Sequence, residues 1–332
     1  MKHSNIALFI PNAGCPNQCS FCNQRTISGT QSAPSIEQVR KELEQAFLTL
    51  AAPPEETEIA FFGGSFTMLE QHYMTGLLSV GREYVRRFGC RGIRVSTRPD
   101  AISPEILNIL YEYDVTAVEL GAQSMDDDVL KANRRGHTAR QVCEASELIH
   151  GYGFELGLQM MVGLYGSTPE KDRETAEQLA GLFPKTVRIY PTVILRGTEL
   201  EEKLRNGRYQ PYPMEEAVSL CAGMLEFFAG RGIDVIRVGL HASRDIEQEM
   251  AGGIYHPAFR ELCESRIYLD RALRLPFHGS GDKVTLQVKS SELSKMIGQR
   301  RKNIIYLEQE WKQRIKIAGE PSLAAYEIKV LE

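Results

Sequence analysis

The chain has 332 residues, of which 42% are hydrophobic and 25% are charged, as in an average globular protein. Its 39 Lys and Arg residues against 43 Asp and Glu residues give a formal net charge of -4, which excludes a polyelectrolyte tail but not a local basic patch. Seven cysteines are too few for a secreted disulfide scaffold, and the apolar runs are too short to span a bilayer. This length suits one large α/β domain or two ordinary ones.

The N-terminal segment does not resemble a secretion signal. Five apolar residues, Ile6 to Ile10, precede Pro11, whereas a secretory core needs roughly 7–15. Ala13-Gly14-Cys15 faintly resembles a lipoprotein cleavage site, but the short apolar core argues against it. We therefore expect a cytoplasmic protein with reduced thiols and no membrane association.

Short apolar segments alternate with longer helical patterns up to about residue 240. Strands are predicted at 6–10, 58–62, 92–97, 117–121, 155–161, 186–192 and 234–239. Helices are predicted between them, at 35–51, 73–88, 104–113, 139–152, 169–182 and 214–231. Such strands pair in parallel in a sheet that is covered on its faces. We therefore expect a full or partial (β/α) barrel of the TIM type, with its chemistry on the loops after the carboxyl ends of the strands.

A Pro- and Gly-rich segment at 275–282 predicts a linker. It divides the chain into a barrel domain, 1–275, and a small α+β domain, 276–332. In the second part we predict a strand at 283–289, a helix at 290–297, a turn at Gly298, a helix at 303–311 and one or two closing strands.

Three cysteines, Cys15, Cys19 and Cys22, lie within eight residues after the first predicted strand. Four thiolates would complete a zinc site or occupy every iron of an ordinary cluster, but the remaining cysteines are dispersed along the chain. Three thiolates on a [4Fe–4S] cluster leave one iron open for an external ligand, which reductive cleavage of S-adenosylmethionine (SAM) requires. A three-cysteine zinc site with an unidentified His ligand, or chance clustering, is the alternative.

The CxxxCxxC spacing, with the aromatic Phe21 before the last cysteine, resembles the signature of the radical SAM superfamily. The resemblance implies that Cys15, Cys19 and Cys22 hold a [4Fe–4S] cluster and that SAM is the second cofactor. It also implies an external electron donor, release of a 5′-deoxyadenosyl radical and a partial barrel of the radical SAM kind. No catalytic residue beyond the cluster is assigned.

The same resemblance places SAM on the loops after strands two to five. Backbone at the second strand's glycines would hold the amino group, and the next strand's Ser or Thr would contact the ribose or cap a helix. A Gln after the fourth strand would bind the ribose, and an Arg would bind the carboxylate. The residues assigned in this way are Gly63, Gly64, Ser96, Thr97, Gln123, Arg135, Gln159 and Met160.

Some of these assignments have alternatives. We favour Arg135 over Arg134 for the carboxylate, and Met160 suits core packing as well as the adenosine pocket. His137 is expected to be structural, with substrate contact as the alternative. Arg188 and Tyr190 on the sixth strand are expected to face the barrel interior, where an Arg needs a partner or a function.

The blocks at 119–123, 133–138 and 187–200 resemble the radical SAM domain of the Elongator catalytic subunit, which is related to oxygen-independent coproporphyrinogen oxidase. The resemblance covers roughly residues 5 to 240. The Elongator subunit also carries an acetyltransferase domain, whereas about 55 residues follow the predicted linker here, and its cysteine loop is longer. Acetyl-CoA-dependent carboxymethylation is therefore doubtful.

The segment at 296–305 resembles the helix–GxxG–helix core of a KH domain, with Arg301 in place of the second glycine. KH modules clamp single-stranded nucleic acid. Six basic residues oppose two glutamates between Gly298 and Lys316, a local charge of +4. We expect Gly298, Arg300, Arg301 and Lys302 to contact RNA; a small cap with a solvated basic face is the alternative.

Together, these resemblances imply a radical SAM enzyme that modifies RNA, most simply a tRNA or rRNA base. One alternative is radical chemistry on a small molecule or peptide, with the C-terminal segment capping the barrel. The other is a non-catalytic RNA-binding protein that uses the cluster as a redox sensor.

Overall fold

The fold is known from a computed structural model, which describes residues 4–11, 15, 19–23, 26–27, 32–275 and 282–331. Seven parallel strands form one open sheet in the order β1-β2-β3-β4-β5-β6-β8. Their bounds are β1 Ser4–Ile10, β2 Thr57–Gly63, β3 Gly92–Thr97, β4 Val115–Gln123, β5 Glu155–Val162, β6 Thr186–Pro191 and β8 Asp234–Val238. This sheet is a half-barrel, so the prediction of a partial (β/α) barrel is confirmed, and each strand lies where the apolar runs predicted it.

Helices connect the strands, and the longer ones cover the outer face of the sheet. They are α1 Ile36–Leu48, α2 Gln71–Phe88, α3 Pro104–Glu112, α4 Asp127–Ala132, α5 Ala139–Gly151, α6 Pro169–Ala180, α7 Glu199–Arg205 and α8 Met214–Ala229. Ser35, Ser103, Thr138 and Thr168 cap the N-termini of four of them with side-chain oxygens. Alternate strand residues such as Ile59, Val95 and Leu158 pack against these helices in one large apolar core.

The inner face of the sheet is different, because it carries buried charge. Glu58, Arg94 and Glu119 on β2, β3 and β4 are each 0% exposed. From the sequence, Arg188 and Tyr190 on the sixth strand were expected to face this interior, whereas these three charged residues were not assigned to it. The period-two spacing of the strands puts one alternate set of residues against helices and the other into the polar interior.

Further short elements complete the barrel part. β7 Val193–Leu195 follows β6, and it pairs in antiparallel with β9 Met250–Gly253. The short helix α9 Arg244–Glu249 comes directly before β9. The long helix α10 Phe259–Leu273 then packs against α8. None of these was predicted from the sequence.

The C-terminal part has its own sheet, in which β10 Lys283–Val288 lies between β11 Arg314–Gly319 and β12 Ile328–Leu331. The helices α11 Leu293–Ile297 and α12 Lys302–Trp311 connect β10 to β11, so both closing strands and both helices match the prediction. Tyr268 and Leu269 of α10 are buried in this smaller core. Most of the predicted linker, 276–281, lies outside the described residues, and the domain boundary there stays a prediction.

No helix in the described ranges is both long and apolar enough to cross a bilayer.

Candidate cofactor site

The cysteine loop follows β1 at the carboxyl edge of the sheet. Cys15 is exposed, Cys22 is half-buried, and Cys19 is buried. Ser20 fixes the loop because its backbone N–H donates to the carbonyl of Asn133 at 3.1 Å and its hydroxyl donates to the Asn133 side-chain oxygen at 2.8 Å. Asn133 is itself fully buried and donates to the carbonyl of Tyr165 at 2.9 Å. The loop after α4 thus holds the middle of the cysteine motif, a role that the sequence analysis did not assign to Asn133.

Arg135 connects this loop to β4. Its Nη1 lies 3.1 Å from the sulfur of Cys19, and its Nη2 donates to the carbonyl of Gly121 at 2.6 Å. Arg98 holds the same segment by donating to the carbonyl of Arg135 at 2.6 Å, while it pairs with Asp100. The neighbouring Arg134 instead points to solvent and pairs with Glu199 at 2.9 Å. Of the two arginines considered, the structure brings Arg135 to the cysteines.

Buried polar atoms without a hydrogen-bond partner cluster at the end of β4. Among the described residues they include Gln123 Oε1, Arg135 Nε and His137 Nδ1. Gln123 has a left-handed φ of 66°, at an irregularity in the β4–β5 register, and this turns its side chain toward Arg135. Buried polar groups are normally satisfied. These donors and acceptors therefore fit a ligand with ribose hydroxyls and an aminocarboxylate, the polar groups of SAM.

His137 is neutral near physiological pH. Burial, with the nearby Arg135 charge, lowers the pKa of its imidazole to about 4. Its Nε2 lies 3.1 Å from the carbonyl of Ala122, so this nitrogen carries the proton and Nδ1 remains an acceptor.

The loop after β2 makes a close approach to β1. Gly63 has a φ of +120°, and a Cβ at this position would lie 2.6 Å from the carbonyl oxygen of Ile10. Gly64 donates its N–H to that same carbonyl at 3.1 Å. The Thr97 hydroxyl lies 2.8 Å from that of Ser65 and 2.6 Å from that of Thr67. Thr97 therefore ties the end of β3 to the glycine loop.

Ser96 and Gln159 are brought into direct contact on the inner face. Gln159 Nε2 donates to the Ser96 hydroxyl at 3.0 Å and to Glu119 at 2.5 Å. Glu119 also pairs with Arg188 at 2.7 Å. Burial opposes its ionisation, but Arg188 and Arg94 outweigh burial and hold the pKa of Glu119 below its ordinary value. Glu119 thus orients two residues toward the interior, although its position in the sequence gave it no assigned role.

Met160 lies apart from this group. It is 0% exposed and belongs to the core on the helix side of β5. The next residue, Met161, packs instead with Leu164, Phe21 and Tyr190. The alternation of a strand separates the two methionines, and the core role considered for Met160 is the one that its position supports.

The loop after β5 is held by a buried carboxyl group. Asp172 accepts hydrogen bonds from the Gly163 N–H at 2.8 Å, the Ser167 hydroxyl at 2.5 Å and the Tyr212 hydroxyl at 3.1 Å. Burial raises the pKa of Asp172 to about 6 despite these donors. These hydrogen bonds position the loop at 162–166, one of the loops after strands two to five on which the resemblance places SAM.

Across the described residues, no three His, Cys, Asp or Glu side chains converge closely enough to hold a metal ion. The assignment of Cys15, Cys19 and Cys22 as ligands therefore rests on their thiol chemistry and their place after β1, and it stays a prediction, as do the SAM contacts.

Family models match most of the barrel part. The radical SAM superfamily model matches residues 9–179, and the radical SAM C-terminal domain model matches residues 184–269. The chain therefore belongs to the radical SAM superfamily, whose members use a [4Fe–4S] cluster and SAM. The resemblance seen in the sequence is confirmed, and the protein is a radical SAM enzyme.

Similar proteins lie in the Elongator branch. A tRNA uridine(34) acetyltransferase of Dehalococcoides mccartyi is 28% identical, over 82% of this chain and 67% of its own length. Elongator complex protein 3 of Homo sapiens is 32% identical, over 66% of this chain but 40% of its own length. The chain thus spans about two-fifths of that relative. The solved Elp3 structure of Methanocaldococcus infernus shares the fold, with a TM-score of 0.64 at 22% identity, over 82% of this chain and 64% of that one.

Proposed function

We propose that this enzyme cleaves SAM reductively and uses the product to modify RNA, with tRNA as the favoured substrate. The observation that carries the proposal is the contact of Arg135 with Cys19, beside the unsatisfied polar atoms of Gln123 and Arg135. It joins a thiol of the cysteine motif to a group of buried polar atoms that suits the SAM headgroup.

In this proposal Cys15, Cys19 and Cys22 hold the cluster, and Gly63, Gly64, Ser96, Gln123, Arg135 and Gln159 surround SAM. When bound, the cluster supplies the electron that converts SAM to methionine and a 5′-deoxyadenosyl radical. The chain itself orients the cofactor: Arg135 and Gln123 meet its polar groups, and Gln159 is held in place by Glu119. Burial of Cys19 and Arg135 keeps water from this side of the site.

Two features support RNA as the substrate. The Dehalococcoides relative is named for tRNA uridine(34), and the C-terminal part carries exposed basic residues on the turn after α11. In that turn Arg300 and Arg301 have left-handed φ values of 51° and 63°. Arg301, which replaces the second glycine of the GxxG pattern, therefore adopts a conformation that glycine favours. This geometry is compatible with a KH-like loop, although binding of RNA by the loop stays a prediction.

The test is anaerobic reconstitution of the protein with iron and sulfide, followed by SAM and dithionite. We expect iron–sulfur absorbance and formation of 5′-deoxyadenosine, and we expect Cys19→Ala to lose both. Cys143→Ala, a half-buried thiol outside the motif, is the matched control and should retain both. Survival of absorbance and cleavage in Cys19→Ala would overturn the ligand assignment.

The RNA substrate is tested by comparing tRNA and rRNA nucleosides, by mass spectrometry, from cells with and without the protein. A nucleoside that disappears without the protein supports the proposal. Identical nucleoside profiles together with robust SAM cleavage would favour the small-molecule or peptide alternative.

A further inference from the structure

Two arginines lie side by side where the half-barrel opens. Arg188 on β6 and Arg237 on β8 are direct partners in the parallel register. Like charges at opposed positions of neighbouring strands are destabilising. The pair therefore needs compensating negative charge.

The protein supplies that charge to one arginine of the pair. Arg188 pairs with Glu119 at 2.7 Å and lies over the ring of Phe62, at 4.7 Å from its centroid. Arg237 donates its Nε to the carbonyl of Gly239 at 3.1 Å. Within the part of the chain that the structure describes, Arg237 forms no salt bridge with a carboxylate, although it is half-buried. Among the described residues, the charge of Arg237 is therefore not neutralised by a paired carboxylate.

Aromatic rings lie beside the two arginines. Phe9 on β1 is 6.3 Å from Phe62, between ring centroids, and 6.2 Å from the imidazole of His241, which follows β8. The Phe9–His241 contact places the end of β1 near the segment after β8, at the carboxyl end of the sheet. Burial, together with the Arg237 charge, keeps the pKa of His241 below its ordinary value, so it adds no positive charge at neutral pH. The result is a group of mutually tilted rings next to a guanidinium.

This group of rings is close to the cofactor site. Tyr190, two residues after Arg188 on β6, packs in one cluster with Phe21 of the cysteine motif. Glu119, the partner of Arg188, also holds Gln159. A molecule bound between Phe9 and Arg237 would therefore lie at the same carboxyl edge as the proposed cluster and SAM.

We propose that this opening is the substrate subsite and that it takes a nucleotide: Arg237 binds a phosphate, and Phe9 and Phe62 pack against the base. The inference rests on the proposed function and deepens it, because it names the part of the RNA that enters the barrel. Charge-assisted pairing suits guanidinium and phosphate, and bases pack well on aromatic rings. A free nucleotide shares this chemistry, so the experiment separates the two sources.

The test uses the reconstituted protein and three ligands: uridine, uridine 5′-monophosphate and a labelled single-stranded RNA. Binding of the first two is measured by calorimetry, and binding of RNA by fluorescence anisotropy. We expect Arg237→Gln to weaken binding of the monophosphate and of RNA by about tenfold or more, and to leave the binding of uridine unchanged. Arg237→Lys should recover part of the loss. Phe9→Leu should weaken the binding of uridine and the binding of its monophosphate equally.

Arg140→Gln is the matched control, because it removes one positive charge from a helix surface where the side chain is 86% exposed. It should bind all three ligands like the parent. Equal binding by the parent and Arg237→Gln, or an equal loss in Arg140→Gln, overturns the subsite while the proposed RNA function stands. If the monophosphate binds through Arg237 but RNA does not bind, the subsite is supported and the RNA function is overturned. If the parent protein binds neither the monophosphate nor RNA, the proposed subsite is overturned.

Discussion

At the scale of single residues, the inner face of the sheet depends on a buried arginine. Arg94 is 0% exposed, and its Nε and Nη2 donate to the two oxygens of Glu58 at 2.7 and 3.2 Å. Gly157 on β5 makes room for it, since a Cβ there would lie 3.0 Å from Arg94 Nη1. Removing one member of such a pair leaves a buried charge without its partner, which is strongly destabilising. This pairing keeps the charged interior compatible with a stable fold.

His137 gives a prediction at this scale. The unfolded chain binds a proton at this imidazole below about pH 6.5, whereas the folded chain binds it only below its lowered pKa of about 4. The free energy of unfolding should therefore fall by about 2 kcal/mol, from this group alone, as the pH drops from 7.5 to 5.

Urea unfolding of the parent and of His137→Gln at both pH values measures this effect. The variant should lack that part of the pH dependence, whereas His72→Gln, on the exposed start of α2, should retain it. Identical pH dependence in the parent and His137→Gln would contradict the assignment of a neutral buried imidazole.

At the scale of elements, the site depends on how strands end. β1 to β5 all end at one edge, so the cysteine loop, the glycine loop, Ser96, Gln123 and Gln159 meet there although they span 145 residues of sequence. The left-handed turn at Gln123 and the hydrogen bond between Ser65 and Thr97 orient the residues at these strand ends. The order of strands and helices predicted that the strand ends lie close together. It did not predict the turn or the hydrogen bond, because backbone irregularities do not appear in a periodic sequence pattern.

Gly63 gives a prediction for the strand ends. A Cβ on Gly63 would collide with the backbone of Ile10, which is fixed in the sheet, and a φ of +120° is strained for any other residue. We expect Gly63→Ala to lower the free energy of unfolding by about 2 kcal/mol or more and to weaken SAM binding. Calorimetric Tm and SAM titration check both effects.

Gly223→Ala is the control for this change. Gly223 lies inside α8, and a Cβ there meets nothing within 4 Å. The free energy of unfolding of this variant should rise by about 0.5–1 kcal/mol, because Ala has a higher helix propensity than Gly, and SAM binding should not change. A Gly63→Ala protein as stable as the parent would show that the loop can move away from β1.

At the scale of the whole molecule, the C-terminal part is fastened to the barrel by α10 and by polar contacts. Lys295 pairs with Glu264 of α10 at 2.9 Å, and Asn303 donates to the carbonyl of Ser265 at 2.9 Å. Lys302 reaches across to Glu215 at the start of α8, at 2.5 Å. The basic turn is thus held against the barrel rather than trailing from it, and RNA bound there would lie alongside the catalytic part.

The basic turn gives the prediction at this scale. Replacing both Arg300 and Arg301 by Glu should weaken RNA binding strongly and reduce its salt dependence, because two phosphate-neutralising charges are reversed. Replacing both by Gly removes the charge but suits the left-handed φ values, so it should weaken binding less while stabilising the fold. Filter binding over a salt series measures the effect of charge on RNA binding, and the Tm of each variant measures the effect of backbone strain on stability. RNA binding unchanged in the double Glu variant would rule out the KH-like interface.

The sequence by itself determined the class of protein. The alternation of strands and helices predicted the partial barrel, because that pattern is local, and the motif formed by Cys15, Cys19 and Cys22 after the first strand carried the resemblance to the radical SAM family. Tertiary structure decided which residues meet. Only the fold places Arg135 on Cys19, turns Met160 into the core, buries Arg94 with Glu58, and sets Arg237 beside Arg188. Such contacts join distant strands across a face of the sheet, and their partners cannot be read from any single segment.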